Sequence, residues 1–326
     1  MGGIIIQCIN TERFHTVTDS AKDLTLNGVA TLTHLGIIKI VGEDAAKFIH
    51  GQLTQDFSLL DMDTARLAAF CSSKGRAQAS FIGFKRGPQE ILLICSRDIL
   101  PSTLKRLSMF VMRAKARLND ATEEYALFGL AGDAIKTIAG SATSAWAKAD
   151  YGDVSVVNLY PADGDPRQLW VAPIAAPVPS GRPMSLELWQ WGEVRSGVAT
   201  ITAPVVEAFV PQMLNYESVG GVNFQKGCYP GQEVVARSQF RGTLKRRAFL
   251  AHADVALAAG DEVFADADDS QPAGTVVQAA VHPQGGFDAI VSAQLSAVDG
   301  GTLRLGNDAR STLRLLPLPY ALLEDI

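Results

Sequence analysis

The sequence predicts an α+β body followed by a small antiparallel β-barrel. Two patterns carry this expectation. Across residues 1–243, strand-type stretches give way to helical periodicity in the order strand, helix, hairpin and strand, helix, and a similar second round follows. That order suggests split βαβ, ferredoxin-like units. After Thr243 the texture changes to short strands separated by glycine turns, the pattern of a small barrel. The body is therefore placed at residues 1–243, read as two subdomains, and the barrel at 244–326. A chain of 326 residues, 47% of them hydrophobic, can bury a sizeable core.

Residues 31–41 are β-branched and partly alternating, and read as one strand ended by Gly42. From Glu43 the period changes, and Ala45, Phe48, Ile49 and Leu53 fall on one helical face. His50 lies near that face with no second ligand at helical spacing, and reads as an ordinary helix histidine. Residues 66–71 and 77–84 form a hairpin around Ser72-Ser73-Lys74-Gly75-Arg76, and Ile91–Cys95 adds a strand. A helix is expected over Ser102–Arg113, with Leu104, Leu107, Phe110 and Val111 inward and Lys105 and Arg106 outward. Strands are expected at 114–118 and 125–130, and short helices near 134–139 and 142–148. A strand pair at 154–160 and 168–171 precedes a proline-rich connection and a helix over Ser185–Arg195. The barrel strands are expected at 247–253, 262–265, 274–281, 287–292, 302–305 and 312–316.

The formal charge of −5 argues against a nucleic-acid coat protein and leaves room for a local basic patch. No apolar run is long enough to span a bilayer, and Ile4-Ile5-Ile6 is too short for a signal segment. Cys8, Cys71, Cys95 and Cys228 are scattered, with no CxxC and no paired histidine spacing. A zinc site and a disulfide framework are therefore not expected, and a reducing cytoplasm is.

Chemistry concentrates between Gly220 and Arg247. Five glycines surround the single thiol of Cys228, with Lys226 before it and Tyr229 after it. A thiolate is the reactive form of cysteine, and a nearby cation or helix N-terminus lowers its pKa. Lys226 is the candidate cation, and Pro230–Gln239 the candidate helix. Gln232 and Glu233 are placed to fix the loop. The alternative is a glycine-rich turn holding a small buried cysteine. The tract Arg237, Arg241, Lys245, Arg246 and Arg247, interleaved with Phe240, suits a phosphodiester backbone, a polyglutamate chain or a solvated strand. Trp189, Trp191 and Arg195 follow on one helix, where a flat apolar wall and a donor suit a planar heterocycle.

The run Lys226-Gly227-Cys228-Tyr229-Pro230-Gly231-Gln232-Glu233, with Ala236-Arg237 and Arg241-Gly242, resembles the signature of the YgfZ family. These folate-binding proteins are similar in fold to the glycine-cleavage T-protein, an aminomethyltransferase. Phe209–Asn215 and the run Phe48-Ile49-His50-Gly51-Gln52-Leu53-Thr54-Gln55-Asp56 fit the same family. The resemblance implies a T-protein-like body around a central folate pocket, with a C-terminal barrel. It implies tetrahydrofolate or a derivative as cofactor, and Trp189, Arg195, Tyr229, Gln232 and Glu233 as cofactor-binding residues. It further implies a cytoplasmic role in assembling or repairing iron–sulfur enzymes, including radical-SAM-type enzymes that methylthiolate tRNA. Cys228 would be the essential thiol and Lys226 its tuning cation.

In one respect the sequence departs from the T-protein. Where that family resembles Gly-Gly-x-x-Asp-Asp, this chain carries Gln78 and Ala79, neither of which is a general base. Two alternatives stay open. One is a folate-dependent one-carbon transferase using another carboxylate, Asp56 or Glu217. The other is a non-catalytic adaptor that docks on a protein or tRNA through the Cys228 loop and the basic tract.

Overall fold

The computed structural model describes residues 25–136, 144–240, 244–266, 270–299, 301–306 and 311–323. The body opens with β1 (Gly28–Thr31) and β2 (Leu35–Val41), then α1 (Ala45–His50), β3 (Ala65–Cys71), β4 (Ala77–Gly87), β5 (Glu90–Ser96), α2 (Leu100–Val111) and β6 (Arg117–Asp120). The second round is β7 (Tyr125–Ala131), α3 (Asp133–Lys136), β8 (Lys148–Tyr151), β9 (Val154–Asn158), β10 (Arg167–Pro173) and α4 (Leu186–Arg195).

The two rounds build two five-stranded sheets of the same topology. One has the order β3-β4-β5-β2-β6 and the other the order β8-β9-β10-β7-β1. In both, a helix follows the fourth strand of the order and another follows the third, and the strand pairs are antiparallel. The expected duplication is therefore present, with one exchange. The position that β6 fills in the first sheet is filled in the second by β1, from the opposite end of the body.

That exchange explains why the strand expected over 31–41 is two strands. A turn at Thr33-His34 divides it, and β1 pairs with β7 while β2 pairs with β5 and β6. Strands β2, β3 and β5 are buried along nearly their whole length, and their sequences are mostly apolar, interrupted by Lys39 in β2 and Arg66 in β3. On α2 the buried residues are Leu100, Thr103 and Leu107, while Phe110 is exposed. The inward stripe thus starts one turn earlier than expected. The short helix expected at 142–148 is absent from its described part, because Lys148 starts β8 and is bonded to the Asp63 carbonyl. Residues 137–143 of the two helices expected there lie outside the described residues.

Ser185 caps α4, its side chain accepting from the Leu188 N–H at 3.1 Å. Trp189 and Trp191 are both buried but reach different partners. Gly129 of β7 lies under the Trp189 indole, so closely that a Cβ there would stand 2.5 Å from the ring. The Trp191 Nε1 donates to Asp288 at 2.9 Å.

The last strands are β11 (Arg246–Ala253), β12 (Glu262–Ala265), β13 (Gly274–Val281), β14 (Phe287–Gln294), β15 (Leu303–Leu305) and β16 (Thr312–Leu316), with α5 (Gln232–Phe240) before them and α6 (Leu295–Asp299) between β14 and β15. They close a barrel in the order β11-β14-β13-β12-β15-β16. Its interior is packed by small and branched residues such as Val263, Val276, Ala289 and Val291. Asn215, in the left-handed region at φ 57°, couples body to barrel by exchanging hydrogen bonds with the Ala248 backbone.

Candidate functional site

The Cys228 loop is one structural body with the two other segments that stand out in the sequence. Lys226 is buried, and its Nζ donates to the carbonyls of His50 and Leu53, the latter at 2.9 Å. Thr54 and Gln55 donate to the Gly221 and Gly220 carbonyls at 2.6 and 2.7 Å. A Cβ on Gly231 would stand 2.3 Å from the Ser72 carbonyl oxygen and 2.6 Å from the Gly75 Cα. The Lys74-Gly75-Arg76 turn and the start of α5 therefore touch backbone to backbone, which only glycine permits at both positions.

Within this assembly Cys228 is exposed, whereas Cys71 and Cys95 are buried. Burial pushes the Cys71 thiol up to about 12, and it raises that of Cys95 further still. Among the described cysteines Cys228 is thus the one solvent reaches. Lys226 lies 4.6 Å from the centre of the Tyr229 ring. Burial lowers its pKa to about 8, against the opposing pull of Asp56 and Cys228. His50 Nδ1 pairs with Asp56 at 3.0 Å, and Gly227 packs beside its other ring nitrogen. His50, unremarkable in sequence, therefore adjoins the cysteine loop. Glu233 is exposed and pairs with Arg237 at 2.6 Å.

The second feature is a cavity between the two sheets. It is lined by Leu35, Phe81, Trp146, Tyr160, Arg167, Trp189 and Glu193, among others. Its free volume is about 60 Å³, room for a few waters. Trp189 forms one wall and donates through Nε1 to Glu193 at 2.9 Å. The Arg167 guanidinium lies over the Trp189 ring, 5.1 Å from its centre, and bonds the Tyr160 carbonyl. Burial lowers the Arg167 pKa to about 10, offset in part by Glu193. Two buried polar atoms here lack partners, Arg167 Nη1 and His34 Nδ1. His34 Nε2 lies 3.1 Å from Glu193, and the nearby carboxylate raises its pKa against the effect of burial. Glu193 and Thr200 also line an adjoining surface cleft containing His34, Arg97 and Gln278.

Of the sequence-derived candidates, Trp189 lines this cavity. Arg195, Tyr229, Gln232 and Glu233 do not. Arg195 points to another cleft, where it holds Asp163 through two nitrogens and meets Asp288 at 3.5 Å. The basic tract does not form one face. Arg237 is paired with Glu233, Arg247 is buried against Glu217 at 2.6 Å, Arg246 reaches the Pro272 carbonyl, and Lys245 is exposed. Arg241 lies outside the described residues. Sequence reasoning missed Glu193, Arg167 and His34. The one available signal was Glu193 at i+4 from Trp189, on the same helical face.

No family model matches the chain. Among solved structures, the glycine cleavage system aminomethyltransferase T from Bartonella henselae superposes with a TM-score of 0.63, covering 91% of this chain and 88% of that one at 14% identity. The fold, two equivalent sheets with a closed C-terminal barrel, is that of the T-protein-like class. Within that class, the curated tRNA-modifying protein YgfZ of Yersinia pestis is 29% identical over 95% of this chain and 96% of its own length. The protein of the same name from Yersinia enterocolitica is 28% identical with the same coverage. The chain is similar to these YgfZ proteins over nearly its whole length.

Proposed function

We propose that this chain is a YgfZ-type protein that binds a reduced folate in the central cavity and serves tRNA-modifying iron–sulfur enzymes through the Cys228 thiol. The observation that carries the folate reading is the cluster of Trp189, Glu193 and Arg167 on one cavity wall. A pterin needs a flat apolar surface, a carboxylate for its N–H donors and a cation for its carbonyl oxygen. Those groups are present, and the unpartnered Arg167 Nη1 is a donor in need of an acceptor. The free volume is too small for a bicyclic ring, so binding requires the partly buried Trp146, Leu159 and Tyr160 to turn aside.

Tetrahydrofolate, when bound, supplies the one-carbon chemistry of its reduced pterin. Trp189 would hold its flat face, Glu193 would orient its donor edge and Arg167 its acceptor. The thiol works elsewhere, because no residue of the Cys228 loop lines the cavity. An exposed thiol on a rigid loop suits a partner macromolecule better than a ligand enclosed between the sheets. Lys226, held close by, tunes it. The link to tRNA rests on the name of the relatives, tRNA-modifying protein YgfZ. No helix among the described residues is long and apolar enough to cross a membrane. The reading assigns the protein to the cytoplasm.

The one-carbon transferase alternative loses its named bases. Asp56 is bonded to His50, Glu217 is bound to Arg247, and neither lines the cavity. The test is calorimetric titration with 5-formyltetrahydrofolate of the wild type, Glu193→Gln and Trp189→Phe. We expect saturable binding that weakens at least tenfold in Glu193→Gln, while Cys228→Ser keeps binding and loses tRNA methylthiolation in cells. Failure of the wild type to bind would overturn the folate reading. Retained methylthiolation in Cys228→Ser would overturn the role of the thiol.

A further inference from the structure

We infer that the barrel carries a binding site for a first-row divalent transition metal, formed by His252, His282 and Asp288, in a cleft that shares no lining residue with the central cavity and includes none of the Cys228 loop. The sequence gives no hint of it, because the two histidines are thirty residues apart (252 and 282) and the carboxylate lies on a third segment. Folding brings them together. His252 on β11 and Asp288 on β14 are register partners, and His282 stands at the head of the hairpin joining β13 to β14. One ligand atom from each lies within 4.8 Å of the other two. Small side-chain rotations bring such a set to the roughly 2.0–2.2 Å bonds that zinc makes with imidazole and carboxylate.

The surroundings suit a dication. Asp288 is buried, with one oxygen fixed by Trp191 Nε1 at 2.9 Å and the other 2.7 Å from His252 Nδ1. The His282 ring packs edge-on against both Trp191 and His252. Gly286, at φ 74°, lies against His252, where a Cβ would stand 3.0 Å from its ring. The cleft is bordered by Asp163, Asp165 and Asp288, with Asp254 3.6 Å from His252. Against these four carboxylates stand two guanidiniums, Arg195 and Arg314, leaving a formal charge of −2. Imidazole ligands favour zinc, nickel or copper over magnesium or calcium.

Loading has a definite cost. His282 Nδ1 accepts from the Gln284 N–H at 3.2 Å, so the neutral ring carries its proton on Nε2. The ion requires a bare nitrogen there, and the exposed turn ending in Gly285-Gly286 must release that bond. The proton between His252 and Asp288 leaves to solvent. Because Asp288 is also held by Trp191 and Arg195 of α4, the ion would fasten the barrel to the body.

The test is zinc titration by calorimetry, with cobalt as a visible-absorption probe, on the wild type, Cys228→Ser and His282→Ala. His282 is partly exposed at a hairpin, so its removal spares the fold. We expect one equivalent bound by the wild type and by Cys228→Ser, at least tenfold weaker binding by His282→Ala, and a zinc-dependent rise in Tm that His282→Ala lacks. No saturable binding, unchanged affinity in His282→Ala, or loss in Cys228→Ser would each overturn the site. None of these outcomes bears on folate binding.

Discussion

Lys226 donates a 2.9 Å hydrogen bond to the carbonyl of Leu53, across 173 residues of chain. The same amine bonds the His50 carbonyl at the end of α1. It thereby anchors the cysteine loop on the last carbonyl of α1, where a cation is favoured, and on the chain that leaves the helix. Lys226→Met leaves both carbonyls without this donor, at about 1–3 kcal/mol for each that stays dry. We expect the unfolding free energy from urea melts to fall by that order, with faster hydrogen exchange at Gly227 and Cys228. Lys226→Arg does not restore it, because a planar guanidinium is not a compact ammonium.

The same burial makes stability depend on pH. The Lys226 pKa is about 8 in the folded chain and 10.5 as its ordinary value. Between these values the unfolded chain binds more protons, so stability rises with pH. Burying the charged amine is most unfavourable below pH 8, and the penalty is relieved by about 10.5. Urea midpoints of wild type minus Lys226→Met, measured from pH 7 to 10.5, should therefore increase across this window. A flat difference would show that burial does not lower the Lys226 pKa.

The contact between Gly231 and the Ser72–Gly75 turn makes a second prediction. Gly231 has φ 79°, and an added methyl has nowhere to go. Gly231→Ala combines the left-handed penalty of about 1–2 kcal/mol with a backbone clash. Gly285, at φ 111° but in open space, lacks the clash. Thermal melts should show Gly231→Ala losing clearly more stability than Gly285→Ala. Equal losses would mean that the hairpin and loop are not locked together.

Much of this arrangement was legible in the sequence, for identifiable reasons. The bounds of β12, β13 and β16 match their expected ranges, because alternating residues between glycine turns leave little freedom. The division of β1 from β2 was not legible, because Thr33-His34 carries none of the usual turn residues. Trp189 could be read as a wall, but its partners could not. His34 and Glu193 are 159 residues apart, and no local pattern pairs them. The cysteine loop was legible as a motif. Its attachment to α1 and to the hairpin exists only in three dimensions.

The thiols offer a direct check on the Cys228 loop. Cys71 and Cys95 are buried, with thiol pKa values raised by desolvation, while Cys228 is exposed. Alkylation follows thiolate fraction and access. A short pulse of iodoacetamide at pH 8, followed by peptide mass mapping, should modify Cys228 in the native protein and leave Cys71 and Cys95 untouched until denaturant is added. If Cys71, near the hairpin that Gly231 contacts, labels at a comparable rate, the loop opens in solution. Lys226→Met should then label Cys71 faster still, because Lys226 holds the loop to α1. Among these three cysteines, labelling confined to Cys228 in both proteins would mean that the Gly231–Gly75 contact alone keeps the hairpin closed.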